Sequence, residues 1–206
     1  MKNIKSIIFD LGSVLLNIDY QKTIFEFEKL GIKKSSNFYS KKTQTNIFNL
    51  LETGKISDED FVKEIQLLCK DAEGEQVIFA WNALLLDLPK ERIELLKKLK
   101  QDFHIYLLSN TNSIHISEFR KKLGETKYQE FYNLFDKVYY SHEIGFRKPN
   151  KEAFQLILDE NNLKANEVLF IDDSPQHIEG ANKLGIQTHH LSDTEEVTTL
   201  FPGIIR

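Results

Sequence analysis

Ile7-Ile8-Phe9 is an apolar run that ends abruptly in an acid, Asp10. Apolar runs this short, closed by polar residues, form strands buried on both faces, as in a parallel sheet. Two later runs are built alike. Ile105-Tyr106-Leu107-Leu108 ends in Ser109-Asn110-Thr111-Asn112, and Val168-Leu169-Phe170-Ile171 ends in Asp172-Asp173-Ser174. Further strand signals lie at residues 137–140 and 187–190, with helical periodicity at 90–100, 114–123, 151–161 and 176–184. Strands alternating with helices predict an α/β fold with a doubly wound parallel sheet. Such sheets bind ligands outside the carboxyl ends of their strands, where Asp10, Ser109 and the Asp172-Asp173 pair fall. For Asp10 alone a simpler reading stands beside this one: an acid opening a turn, with Gly12 for freedom.

The alternation is interrupted after the first run. Residues 14–18 are a second apolar stretch, expected as a short hairpin leaving the strand end. From residue 17 to 87 no convincing strand appears. Helices are predicted at 20–30, closed by Gly31, and at 38–51, closed by Gly54. A third follows Ser57-Asp58-Glu59-Asp60, an N-cap with first-turn acids, and a fourth covers 77–86. Pro89 suits the first turn of the helix at 90–100. The expected organisation is an α/β core of residues 1–16 and 88–206, with an all-helical cap of residues 17–87 inserted after the first strand. Aromatic residues of that block are expected in its interior.

The chain of 206 residues can bury a substantial core in one or two domains. Its net charge of −4 offers no electrostatic footprint for nucleic acid, so any anion site must be built locally. The single cysteine, Cys69, excludes an internal disulfide, fits a reducing compartment and is expected buried among apolar neighbours. No apolar run approaches the ~20 residues of a membrane-spanning helix, and the basic start Met1-Lys2-Asn3-Ile4-Lys5 leads into a run too short for a signal peptide. The expectation is a cytoplasmic protein, monomer or homodimer, with no nucleic-acid or membrane partner. The histidines lack zinc spacing. His189-His190 is expected to be structural, and His115, after the Ser109 loop, is a candidate wall residue.

An acid, a hydroxyl, a lysine and an acid pair follow one another along the chain: Asp10, Ser109, Lys148 within Gly145-Phe146-Arg147-Lys148-Pro149, and Asp172-Asp173. Their order and spacing resemble the four motifs of the haloacid dehalogenase superfamily, on both sides of the insertion. The resemblance implies a Rossmann-like core with a small helical cap and Asp10 as nucleophile. A carboxylate can attack phosphorus and split one displacement into two through an aspartyl-phosphate. It implies Mg²⁺ held by Asp10, by Asp173 and less directly Asp172, and by the backbone carbonyl of Gly12. Mg²⁺ and Lys148 would neutralise the phosphate charge that repels the attacking carboxylate. Ser109, with the Asn110 amide nearby, would donate to a phosphate oxygen. Arg147 either binds substrate or pairs with a surface acid.

One place departs from the pattern. Phosphatases of the superfamily usually carry a second aspartate two residues after the nucleophile, general acid-base catalysis being worth roughly 10²–10⁴-fold. Here that place is Gly12, and it is not the tyrosine of the true dehalogenases either. Phe9-Asp10-Leu11-Gly12-Ser13-Val14, Lys148-Pro149 leading to Ala153-Phe154, and Ile178-Glu179-Gly180-Ala181 instead resemble a small-cap branch that includes sugar-1-phosphate phosphatases. Two reasons for the glycine stand open: a left-handed backbone, or room for substrate or another acid. Asp19 is the nearest acid in sequence, with a surface role equally open. The leading expectation is a Mg²⁺-dependent phosphatase acting on a small phosphorylated substrate, a sugar phosphate among the candidates. A fold retained for binding or regulation is the alternative, and a haloacid dehalogenase a third.

Overall fold

The computed structural model describes residues 3–32, 46–69 and 71–202. Five strands form one sheet: β1 (Ser6–Phe9), β2 (His104–Ser109), β3 (Lys137–Tyr140), β4 (Val168–Asp172) and β5 (Gln187–His190). Their order is β3-β2-β1-β4-β5, and every neighbouring pair is parallel. β1 is central and buried along its whole length, which is why it is apolar from Ile7 to Phe9. Phe9 is level with Leu107 on one side and Ile171 on the other. The chain leaves β1 toward β2 and later returns to its other edge as β4. Asp10 therefore steps off at the point where the strand order reverses, between the ends of β2 and β4.

Ten helices accompany the sheet among the described residues. They are α1 (Tyr20–Lys29), α2 (Asn46–Glu52), α3 (Asp58–Gln66), α4 (Gly74–Asn82), α5 (Lys90–Leu99), α6 (Ser113–Leu123), α7 (Glu125–Tyr132), α8 (Ser141–Ile144), α9 (Lys151–Glu160) and α10 (Pro175–Asn182). Side chains alternate between the two faces of the sheet. Ile8, Tyr106, Leu108 and Phe170 pack with Phe154 and Ile157 of α9 and Ala181 of α10. Ile7, Phe9, Leu107 and Ile171 pack on the opposite face with α5, α6 and α7. Arg92, buried on α5, holds Glu196 through two bonds of 2.9 and 2.8 Å and donates to Leu15 O at 3.1 Å. It thereby anchors the turn that follows β1.

The described residues of 17–87 contribute four helices and no strand of the sheet. Trp81 is their centre, with ring centroids of Phe27, Phe48 and Phe61 at 6.3, 4.9 and 5.5 Å. This aromatic cluster is continuous with the apolar layer over Ile7 and Phe9. The two connections to the core run side by side. Asn17 N donates to Asp87 O at 2.9 Å, and Leu86 N donates to Asn17 O at 3.0 Å. Ile18 and Leu85 form an antiparallel bridge just beyond.

Several expectations are corrected. Residues 14–18 are not a hairpin: Leu15 N and Leu16 N both donate to Leu11 O, at 2.9 and 2.7 Å, closing a tight turn that buries Val14, Leu15 and Leu16. The left-handed residue of that turn is Ser13, with φ 60°, and Gly12 is not left-handed. The predicted helix at 38–51 is observed over Asn46–Glu52, its remainder lying outside the described residues. α4 begins earlier than its apolar periodicity, at Gly74, where Gln76 Oε1 accepts from Glu73 N at 2.8 Å. α7 and the single turn α8 were not anticipated; α7 turns only Tyr128 and Phe131 inward, too sparse a stripe to register. Cys69 is half-buried rather than enclosed. Among the described residues no helix is long and apolar enough to cross a membrane.

Candidate active site

The carboxyl ends of β1, β2 and β4 meet at Lys148. Its side chain is fully buried, and its Nζ lies 2.7 Å from Asp10 Oδ1, 2.7 Å from Asp172 Oδ2 and 2.8 Å from Leu108 O. Burial works to discharge an ammonium, but the charges of Asp10 and Asp172 outweigh it and hold Lys148 protonated. Asp10 is fixed by its backbone N donating to Ile171 O at 3.0 Å. Lys148 grips one of its oxygens, and no described residue donates to the other. Burial raises the Asp10 carboxyl, Lys148 opposes this, and Asp172 and Asp173 add to the rise.

Asp172, wholly buried at the end of β4, accepts from Ser174 N at 2.8 Å and lies 3.0 Å from His177 Nδ1 through each oxygen. Burial alone would raise its carboxyl, yet Lys148 and His177 hold it below the usual carboxylate range. Asp173, half-buried, projects from the next position onto the cavity wall. Oxygens of Asp10, Asp172 and Asp173 lie within 4.8 Å of one another. Gly12 lines the same cavity, and its carbonyl accepts no hydrogen bond from the described residues. An all-oxygen set with several carboxylates fits a hard divalent cation such as Mg²⁺.

The cavity above these groups measures about 290 Å³. Ser109 ends β2 on its wall, and the hydroxyl bonds to no described residue. Asn110, expected beside it as a phosphate donor, is committed elsewhere. Its Nδ2 donates to Lys148 O at 2.9 Å, and its Oδ1 accepts from Lys148 N at 2.9 Å. The side chain clamps the backbone of the lysine loop. Ser141 fixes the next residue, accepting from Thr111 N at 2.9 Å and donating to Thr111 O at 3.0 Å. Asn112 caps α6 through His115 N at 3.0 Å. Asp19, considered as a substitute acid, is the N-cap of α1 and accepts from Gln21 N at 2.9 Å. His189 lies 2.9 Å from Glu195 and His190 3.2 Å from Asp173 O, both outside the cavity wall.

The opposite wall comes from the helical block. Tyr20, Asn49 and Glu52 line it, and none was singled out from the sequence. Arg147, the loop residue before Lys148, meets this wall: its Nη2 is 2.8 Å from Glu52 Oε2, and its Nη1 donates to Asn49 Oδ1. Of the two readings of Arg147, pairing with an acid is the one observed, though that acid is buried and belongs to α2. Burial, helped by Asp173 and Asp10, pushes the Tyr20 hydroxyl up and keeps it protonated. His115 also lines the cavity, stacked on Trp81 at 4.5 Å between centroids, with Nδ1 2.9 Å from Asn82 Oδ1. Glu52 and His177 carried no sequence signal, since each becomes a wall residue only through folding.

Residues 4–185 match the haloacid dehalogenase-like hydrolase family. The chain is 32% identical over 186 residues to D-ribitol-5-phosphate phosphatase of Bacteroides thetaiotaomicron, covering 90% of each sequence. A haloacid dehalogenase family enzyme of the same bacterium, solved in complex with magnesium and inorganic phosphate, superposes with a TM-score of 0.83 at 34% identity over 96% of this chain and 99% of that one. A predicted hydrolase of the same type from Porphyromonas gingivalis gives 0.84 at 29% identity, covering 94% and 93%. With its central aspartate, its buried lysine and its acid pair gathered at one end of a parallel sheet, the chain belongs to the haloacid dehalogenase-like hydrolase family.

Proposed function

We propose that this hydrolase is a Mg²⁺-dependent phosphatase of small phosphorylated metabolites, sugar or polyol phosphates among them, working through an aspartyl-phosphate on Asp10. The observation that carries the reading is the buried Lys148 holding one oxygen of Asp10 and leaving the other unengaged. The likeness to a ribitol-phosphate phosphatase and to a magnesium and phosphate complex supports it.

Asp10 and Asp173, with the Gly12 carbonyl, would hold the metal, because the Asp172 oxygens are already engaged by Lys148, Ser174 N and His177. When bound, Mg²⁺ supplies positive charge that offsets the phosphate dianion and lowers the Asp10 carboxyl toward its ionised form. Ser109 donates to a phosphate oxygen. The unengaged oxygen of Asp10 forms the new bond to phosphorus as the ester P–O bond breaks, and the alkoxide takes its proton from water and leaves as an alcohol. Water then releases phosphate from Asp10. Asn110 acts through Lys148 by fixing its loop. The described residues of 17–87 act as the cap, which lines the cavity through Tyr20, Asn49 and Glu52 and limits its access to water.

Replacing Asp10 by Asn keeps the shape and removes the nucleophile. Phosphate release from a panel of sugar and polyol phosphates with Mg²⁺ is expected to fall by roughly 10³-fold or more, with an unchanged circular dichroism spectrum. A variant that keeps more than about a tenth of the turnover overturns the assignment.

A further inference from the structure

Arg147 is the only lysine or arginine among the described residues of the cavity wall, because Lys148 is sealed beneath it. Its charge is not available to a ligand. Glu52 Oε2 stands 2.8 Å from Nη2, and the two side chains are 7% and 22% exposed. Asn49 accepts from Nη1, and Nε is buried with no hydrogen-bond partner. Removing either partner of such a pair leaves an uncompensated charge in a poorly solvated place. The far wall is therefore rich in donors and acceptors while its charge sums to zero.

This wall has a definite preference. A substrate bearing a carboxylate or a second phosphate would bring its charge up to Glu52 and find no unmatched cation to receive it. A substrate ending in hydroxyl groups can share donors with Arg147 and acceptors with Glu52 and Asn49 without displacing the pair. An alkyl end would leave those polar groups desolvated and unmatched. We propose that the Glu52–Arg147 pair sets the charge class of the substrate, admitting phosphate monoesters whose distal end is uncharged and hydroxylated and rejecting those with a second anion. The proposal rests on the phosphatase reading and adds which esters that site accepts. The pair joins α2 to the lysine loop, so substrate choice is made where the helical block meets the core.

Glycerol 3-phosphate and 3-phosphoglycerate test it, because they differ by a hydroxymethyl against a carboxylate at one end. The readout is the ratio of their kcat/KM values on the same enzyme with Mg²⁺, which cancels differences in folding and metal loading. The wild-type protein is expected to prefer glycerol 3-phosphate by about tenfold or more. Glu52→Gln keeps the shape and frees the guanidinium charge, so the ratio should move toward 3-phosphoglycerate by about tenfold. Asn49→Asp, isosteric and on the other side of the same guanidinium, adds an acid and should move the ratio the opposite way. It serves equally if Glu52→Gln does not fold. A wild-type enzyme that turns over both esters alike, or ratios unmoved in the folded variants, overturns this proposal and leaves the phosphatase reading intact. If the wild type hydrolyses neither ester nor p-nitrophenyl phosphate, both fall together.

Discussion

A Cβ placed on Gly12 would stand 2.9 Å from Ile18 Cδ1. The turn's left-handed residue is Ser13, so backbone freedom does not account for the glycine, and the space a Cβ would take is filled by the end of the Ile18 side chain. Gly12→Asp would introduce a carboxylate beside Asp10 and Asp173, whose like charges weaken the nucleophile, and it would press on Ile18. We expect kcat on the best substrate not to rise tenfold, and Ile18→Ala to recover part of any loss; steady-state kinetics of the single and double variants decide it. His115 gives a second prediction. Burial, with Lys122 nearby, lowers it from 6.5 to about 3. The unfolded chain takes up this proton as pH falls through 6.5 and the folded one does not until about pH 3, so stability is lost between those values as pH falls. Moving from pH 7 to 5 should cost about 2 kcal/mol from this residue. Urea midpoints at both pH values should show a smaller drop in His115→Asn, which keeps a donor toward Asn82. Asp10, Ser109 and Asp172-Asp173 were legible because each follows an apolar run, and Lys148 because it stands in a basic loop before Pro149 and a helix, in the superfamily's order. Asn110 was not legible as a clamp, since its partner is the backbone of Lys148, 38 positions away.

α10 approaches the lysine loop more closely than a side chain permits: a Cβ on Gly180 would lie 2.5 Å from Pro149 O. The helix that follows the acid pair thus sets the height of the loop that carries Lys148. Gly180→Ala must push the two apart, and since Pro149 O is backbone, nothing flexible can yield. We expect a loss of about 1–3 kcal/mol in stability and a fall in kcat of about tenfold or more, displacements near 1 Å costing up to roughly 10²-fold. Denaturant midpoints and kcat measured on the same preparation check both. The strands were readable as elements because the central stretches of β1, β2 and β4, at residues 7–9, 105–108 and 168–171, are buried and apolar. α2 could be placed as a helix, but not as a wall of the cavity. Glu52 closes an apolar helix in sequence and meets Arg147 only through the chain's return from β3.

Across the whole molecule, the apolar layer runs from the sheet into the helical block through Trp81, Phe48 and Leu85 without a polar break. Core and block should therefore melt together. Trp81 is the only tryptophan and is fully buried, so its fluorescence follows the block while far-UV circular dichroism follows the entire chain. The two urea curves are expected to coincide, as two-state behaviour requires, and Trp81→Ala should lower the common midpoint by an amount equal to about 3–5 kcal/mol. Separate midpoints in the wild type would show that the block unfolds by itself. Shared stability contrasts with how the chain is threaded. Asn17 and Asp87 are hydrogen-bonded neighbours, so about seventy residues depart and return through a single doorway. A replacement module whose ends meet in the same way could be spliced in without redrawing one strand of the sheet, provided that it brings a greasy underside of its own.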